Sequence, residues 1–197
     1  GIRRPWWRAP PLARTKTGWR KSRGQVMARL ITERLTGAPQ NHYTNAAMQR
    51  GIDLEPDARA AYQFKKMAIV ATVGLVKHPT IIGTHASPDG LVGASGLVEI
   101  KCPSGGTHLD TLLGAQISQD YSYQMAWQMA CTGREWCDFA SYHPDFPNTM
   151  RLHSTRVHRD DKLIAELEAA VREFLHELQM KLVELTGRYG APVKEAA

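Results

Sequence analysis

The order of sequence patterns along this 197-residue chain predicts an α/β fold with a central mixed β-sheet flanked by helices. Two helical patterns come first, clustered β-branched segments follow, and a helix, two strands and a closing helix complete the chain. The hydrophobic content of 43% is enough to form a core. We therefore expect a single domain over residues 1–197.

Residues 1–18 are predicted to form an irregular basic arm, because they combine several arginines with prolines and two tryptophans. The first helix is predicted between Ser22 and Leu35, where apolar residues recur on one helical face. Gly37 stands where that helix would end.

A second helical pattern runs from Asn45 to Met67. Pro56 is predicted to occupy a first-turn position, which places Glu55 at a helix boundary. Taken alone, Glu55 is then a negative charge that stabilises a helix start.

The chain after residue 67 changes to segments rich in β-branched residues, separated by Gly, Pro, Asn and Ser, and such segments predict strands. Helix-forming composition and amphipathic periodicity predict the remaining elements. The predicted strands occupy residues 69–76, 80–93, 96–103, 135–144 and 150–159, and the predicted helices occupy residues 110–132 and 161–187.

The formal net charge of +6 favours a polyanionic partner. Cys102, Cys131 and Cys137 include no CxxC pair, which argues against a disulfide framework and a cysteine-based zinc site. No apolar run approaches membrane-spanning length, and no charged-then-apolar leader opens the chain. These features predict a soluble, unsecreted, cytoplasmic protein with no membrane partner.

The residues with the most chemical information are Asp89, Glu99 and Lys101, in the segments SPDGL and GLVEIKCP. Residues two apart on a strand share a face, so Glu99 and Lys101 point the same way while Ile100 points into the core. If the segment ending at Gly90 pairs with this strand, Asp89 comes close to both side chains.

This arrangement suits a hard divalent cation, since Mg²⁺ prefers oxygen ligands and binds to one or two carboxylates plus substrate phosphate. Asp89 and Glu99 supply carboxylates, and the backbone carbonyl of Ile100 can add a third ligand. Lys101 can orient or deprotonate the attacking water, or offset charge on the phosphate. The pattern predicts hydrolysis of phosphodiesters.

An acidic and a basic residue two apart on a strand also form ordinary salt-bridged pairs. Glu99 and Lys101, however, lie beside Leu97, Val98 and Ile100, and unpaired charges in such an apolar strand are costly. This context favours a functional site.

The stretch SPDGLVGASGLVEIKCP resembles the centre of the bacteriophage lambda exonuclease family, also called YqaJ-like viral recombinases, within the PD-(D/E)XK nuclease superfamily. The resemblance implies the restriction-endonuclease-like core of that superfamily. It also implies that Asp89 and Glu99 bind the metal and that Lys101 is the catalytic lysine.

Three further segments extend the resemblance over roughly residues 14–158. RGIDLEPDAR resembles the family helix whose glutamate faces the metal site, which implies that role for Glu55. YSYQMAWQ resembles the family's YxxQ helix, which implies site roles for Tyr121 and Gln124 and leaves Gln128 open. WCDFASYHP resembles a strand ending in YDP, with His143 in place of the aspartate.

Members of this family bind the 5′ phosphate through an arginine that precedes a threonine-alanine-serine helix start. This chain has no TAS sequence. The resemblance therefore leaves three candidates for DNA contact, which are Arg8, Arg14 and Arg23.

The activity implied is a Mg²⁺-dependent 5′-to-3′ exonuclease, with Mn²⁺ as substitute, that acts on double-stranded DNA ends and leaves a 3′ overhang. A ring-shaped homotrimer and a single-strand annealing partner of the Beta or RecT type are implied as well. The expected setting is the cytoplasm of a bacterial host, with a phage or prophage gene.

Two alternatives remain. One is another PD-(D/E)XK nuclease, either an endonuclease or a Cas4-like protein, although the scattered cysteines do not favour an iron-sulfur cluster. The other is a DNA-binding module without catalysis. A comparison of linear with circular DNA as substrate separates an endonuclease from an exonuclease. Mg²⁺-dependent release of nucleotides separates a nuclease from a DNA-binding module without catalysis.

Overall fold

The computed structural model describes residues 14–15, 18–19, 21–40 and 45–190. The chain divides into two compact units, one of Gly1–Tyr43 with Ala165–Ala197 and the other of Thr44–Ile164. The single nuclease domain over residues 1–197 stays a prediction. In the described part of the chain, no helix combines the length and the apolar content that a bilayer crossing requires.

The helices and strands confirm the predicted mixed α/β class. In chain order they are β1 (Arg14–Thr15), β2 (Gly18–Trp19), α1 (Lys21–Thr36), α2 (Ala46–Lys66), β3 (Val70–Ala71), β4 (Val76–Lys77), β5 (His85–Ala86), β6 (Gly90–Val92), β7 (Gly96–Lys101), α3 (Gly105–Leu112), α4 (Gln119–Thr132), β8 (Trp136–Tyr142), β9 (Leu152–His158) and α5 (Asp161–Tyr189).

The first unit contains the β1–β2 ladder, α1 and most of α5. The apolar face predicted for α1 buries Met27 against Phe174, Leu178 and Leu182 of α5. Burying side chains of this size contributes roughly 1.5–3 kcal/mol each. Most of the predicted basic arm lies outside the described residues.

The second unit is built on a five-stranded sheet with the strand order β3-β6-β7-β8-β9. β7 lies at its centre, antiparallel to β6 and parallel to β8. β4 and β5 form a separate two-stranded ladder. The sheet is mixed, as predicted.

Alternation along β7 sends its side chains to two different faces. Val98 and Ile100 join a core cluster with Ala58 and Tyr62 of α2. Glu99 lies on the opposite face and is hydrogen-bonded by α4. Chemistry on one face is therefore supported by an apolar core on the other.

The structure confirms the helix predicted from Asn45 to Met67 and corrects the position of Pro56 within it. Pro56 lies inside the helix and Glu55 is in mid-helix, not at a boundary. Asn45 caps the start of the helix, because its side chain accepts a hydrogen bond from the Met48 amide at 2.8 Å. Pro56 has no backbone N–H to donate to the preceding turn of the helix. Burial of Ala58 and Tyr62 offsets this loss, so the helix continues through Pro56.

The helix predicted over residues 110–132 is two helices, α3 and α4. Gly114 has a φ of 91° just after α3, a conformation that ends helices and that glycine adopts without strain. Ser118 then caps α4 by accepting a hydrogen bond from the Tyr121 amide.

Candidate active site

The acidic centre of the site is Glu99 on β7, which is only 1% exposed. Its neighbour two residues on, Lys101, lies on the same face, and the Lys101 ammonium contacts Glu99 Oε1. The predicted shared face is therefore present. A buried carboxylate needs several donors to offset its lost hydration.

Helix α4 supplies those donors through residues one turn apart. Gln124 Nε2 donates to Glu99 Oε1, and Gln124 Oε1 accepts from Lys101 Nζ at 3.3 Å. Gln128 Nε2 donates to Glu99 Oε2 at 2.6 Å. Positions i and i+4 share a helical face, so the two amides reach the two oxygens of one carboxylate.

Asp89 reaches the site because β6 pairs with β7, with Gly90 opposite Val98. Asp89 Oδ2 accepts a hydrogen bond of 2.7 Å from the Ile100 amide. A side chain at Gly90 would collide with Val70, since its Cβ would lie 2.1 Å from Val70 Cγ1. The glycine after Asp89 thus allows the close strand packing that positions it.

Helix α2 adds a third carboxylate at the edge of the site. Glu55 forms an ion pair with Arg59 four residues on. Arg59 also donates to the Asp89 carbonyl at 3.2 Å, which links this pair to Asp89. Glu55 and Asp89 are close enough for their charges to interact.

Crowding of these acids perturbs the ionisation of the site. Burial and the charge of Glu99 raise the pKa of Asp89 well above its usual range, while Lys101 opposes that rise. Burial lowers the pKa of Lys101, but attraction from Glu99 and then Asp89 outweighs burial, so the pKa is raised. The lysine therefore stays charged near neutral pH.

The composition of the site fits a divalent cation. Three carboxylates, Glu55, Asp89 and Glu99, face only two cations, Arg59 and Lys101. Among the described residues, no group of three or more His, Cys, Asp and Glu side chains could enclose a metal ion. Two carboxylates with backbone and substrate oxygens are nevertheless the usual environment of Mg²⁺.

Tyr121 lies in the first turn of α4, on the same side as Gln124. Its ring centroid lies 4.8 Å from Lys101 Nζ and 5.5 Å from the ring of Phe139. Tyr121 is thus both a packed aromatic residue and a neighbour of the lysine.

The structure gives less information about the three arginines that were predicted to contact DNA. Arg23 is buried in the first unit, where it pairs with Glu177 at 2.6 Å and lies over the Phe174 ring. Arg8 lies outside the described residues. For Arg14 the structure describes the backbone in β1 and not the side chain. Contact of these arginines with DNA stays a prediction.

Sequence reasoning missed Arg59 and left the role of Gln128 open. Both lie four residues after a residue that was singled out, Glu55 and Gln124 respectively. A search for side chains at i+4 on the same helical face would have found Arg59.

Comparison with known proteins identifies the family. The sequence model of one protein family, the YqaJ-like viral recombinase domain, matches residues 15–135, which is more than half of the chain. This chain belongs to the YqaJ-like viral recombinase family. The resemblance drawn from the sequence motifs is confirmed.

Solved structures agree with membership in the YqaJ-like family. An alkaline exonuclease, LHK-Exo from Laribacter hongkongensis, is 46% identical with a TM-score of 0.86, covering 96% of this chain and 93% of that chain. LHK-Exo in complex with dAMP is 47% identical with a TM-score of 0.86, covering 94% and 91%. Together these matches make the chain a nuclease of the phage exonuclease type.

A phage-related exonuclease from Haemophilus somnus 129PT has a TM-score of 0.74 at 13% identity, covering 94% of this chain and 96% of that chain. At this identity it supports the fold alone. The comparison with curated proteins gave no match.

Proposed function

We propose that this chain is a divalent-metal-dependent exonuclease that degrades one strand of linear duplex DNA from the 5′ end and leaves a 3′ overhang. The observation that carries the proposal is the convergence of Asp89, Glu99 and Lys101. The 46% identity to an alkaline exonuclease supports the reaction. The dAMP complex of that relative supports a nucleotide-binding site here.

Asp89, Glu99 and the Ile100 carbonyl are the proposed ligands of Mg²⁺, for which Mn²⁺ substitutes. The N–H and C=O groups of one residue in a strand point to the same edge of that strand. Because the Ile100 N–H points to Asp89, the Ile100 carbonyl points to the same edge as Asp89. When bound, the ion would polarise the scissile phosphate and lower the pKa of the attacking water.

Lys101 is the proposed catalytic lysine. Its ammonium, whose pKa Glu99 and Asp89 raise, can act as a charged donor that stabilises negative charge developing on the phosphate. Gln124 bonds to both Lys101 and Glu99 and so holds the ammonium beside the acid.

Glu55 is proposed to complete the acidic edge of the site, since its pairing with Arg59 ties it to the Asp89 backbone. Tyr121 is proposed to contact DNA beside Lys101, where its ring is half-buried. Arg8 and Arg14 are the stronger candidates for phosphate contact, because Arg23 already pairs with Glu177.

Double-stranded DNA ends are the proposed substrate, and the net charge of +6 supports phosphate binding without base reading. A ring-shaped homotrimer and a single-strand annealing partner of the Beta or RecT type are proposed from the family resemblance. Light scattering of the purified protein tests the trimer, and pull-down with such an annealing protein tests the partner.

The decisive assay uses linear duplex labelled at the 5′ or the 3′ end, with Mg²⁺ or with EDTA. We expect the wild type to release labelled mononucleotide from the 5′ label in Mg²⁺ alone. Lys101→Ala should lose about 10²–10⁴-fold in rate and keep its DNA affinity. Lys181→Ala is the matched control, because Lys181 is half-exposed and its ion pair in the structure is with Glu177 on α5, away from the candidate site.

Other results would redirect the proposal. Cleavage of covalently closed circles would indicate an endonuclease, and release of nucleotides in EDTA would exclude the metal requirement. Full activity of Lys101→Ala would overturn the assignment of the catalytic lysine. DNA binding without cleavage under any metal would indicate a non-catalytic module.

A further inference from the structure

Gln128 is a fully buried polar residue in an apolar stretch of α4. It is 0% exposed, and all of Met125–Cys131 is buried. Glutamine rarely occupies such a position without hydrogen-bond partners, because burying an amide is costly. Its presence therefore needs a reason beyond packing.

The amide nitrogen of Gln128 is committed to the acidic site. It donates to Glu99 Oε2 at 2.6 Å. An ionised carboxylate only accepts hydrogen bonds, so the nitrogen and not the oxygen of Gln128 must face Glu99.

This orientation leaves the other half of the amide without compensation. Gln128 Oε1 is buried and has no hydrogen-bond partner among the described residues. Buried polar atoms in native proteins are nearly always paired, and unpaired ones occur at functional sites. The amide is thus oriented with its donor on Glu99.

Gln124 and Gln128 treat the two oxygens of Glu99 differently. Oε1 accepts from both Lys101 and Gln124, which fills its two acceptor positions. Among the described residues, Oε2 accepts from Gln128 alone and keeps one position. Gln128 therefore contacts the oxygen that has capacity left for a cation.

We infer that Gln128 is a positioning residue, whose amide holds the Glu99 carboxylate so that Oε2 presents its remaining acceptor position to a divalent cation. The inference rests on the proposed function, since it concerns the same acidic site. It adds a role for a residue that the sequence motifs left open.

The test compares Gln128→Met with Gln119→Met. Methionine keeps the length of the side chain and removes the donor. Gln119 is a matched control, because it is exposed on the same helix and, within the described part of the chain, its side chain bonds only to the Tyr123 hydroxyl. Mn²⁺ is titrated by calorimetry into each metal-free protein without DNA, and folding is checked by near-ultraviolet circular dichroism.

We expect Gln128→Met to fold and to bind Mn²⁺ about 10–100-fold more weakly, the usual effect of losing a partner of a metal ligand. The Mg²⁺ concentration for half-maximal cleavage should rise by a similar factor. The KM for DNA should stay within about twofold of the wild type. Gln119→Met should match the wild type throughout.

Unchanged Mn²⁺ affinity in folded Gln128→Met would overturn the inference. If Gln128→Met does not fold, Gln128→Asn replaces it, because asparagine keeps the amide but is one methylene too short to reach Glu99. Failure of both variants to fold would assign Gln128 to stability alone and would also overturn the inference.

The result is separable from the proposed function. If the wild type shows no Mg²⁺-dependent cleavage, the proposed function itself fails. If the wild type cleaves, Lys101→Ala does not, and Gln128→Met retains normal metal affinity, only the role of Gln128 fails.

Discussion

Two carboxylates on neighbouring central strands are equally buried, but the charged groups around them differ. Glu99 on β7 and Asp138 on β8 are each 1% exposed. Asp138 is bonded to the Tyr62 hydroxyl at 2.7 Å and to Arg156 at 2.8 and 3.2 Å. Glu99 instead shares its surroundings with a second acid, Asp89.

The pKa directions show what this difference means. Burial raises the pKa of Asp138, but hydrogen bonds from Arg156 and Tyr62 lower it by more, so the net shift is downward. Burial and Glu99 raise the pKa of Asp89. Asp138 therefore stabilises the fold, whereas the pair of Asp89 and Glu99 is kept at a cost that a cation would relieve.

The largest expected effect on stability comes from Asp138→Asn. Loss of the charged hydrogen bonds to Arg156 and Tyr62 should lower the free energy of unfolding by about 2–3 kcal/mol. Urea denaturation measures this loss, with Asp145→Asn as an exposed control, since Asp145 is 84% exposed. A loss below about 0.5 kcal/mol would mean that Asp138 is not structural.

A smaller effect should come from metal. At ten times its dissociation constant, Mn²⁺ should add about 1.4 kcal/mol to the stability of the wild type. In a chain of this size that corresponds to a rise of about 3–6 °C in Tm. Differential scanning calorimetry should show the rise in Asp138→Asn and not in Asp89→Asn. An equal rise in both variants would place the metal elsewhere.

Asp89→Asn should raise the stability of the metal-free protein by about 1 kcal/mol, because it removes repulsion between Asp89 and Glu99. Urea denaturation in EDTA measures the change. Destabilisation by a similar amount would show that the bond from the Ile100 amide outweighs the repulsion.

The smallest expected effect is the loss of the Asp138 contribution to stability at low pH. Because the pKa of folded Asp138 is lowered, its contribution is full above the unfolded value of about 3.9 and is lost as pH falls through the folded value. The difference in unfolding free energy between the wild type and Asp138→Asn should therefore stay constant from about pH 7 to about pH 5 and narrow as the pH falls below about 4. A difference that widens in acid would contradict this sign.

The predictable parts of the molecule are those with a local periodic signal. Alternation along Gly96–Lys101 predicted that Glu99 and Lys101 share one face, and pairing of the segment ending at Gly90 with this strand predicted that Asp89 lies close to them. The family match then supplied Gln124 and Glu55.

Other features depend on contacts between distant residues. The partners of Asp138 are 18 and 76 residues away in the chain, so no local pattern reveals them. The break at Gly114 was hidden because helix-forming residues flank the glycine on both sides. The first-turn position predicted for Pro56 was wrong, because proline can also occupy the interior of a helix that is held by the packing of one face.

The most direct test applies the same chemical change to the two contrasted regions. Cleavage of 5′-labelled duplex is followed under single turnover in saturating Mg²⁺, at a temperature where both variants are folded. Asp89→Asn should lose at least about 10²-fold in rate, while Asp138→Asn stays within about threefold of the wild type. Normal cleavage by Asp89→Asn, or equal loss in both variants, would contradict a nuclease centre at Asp89 and Glu99.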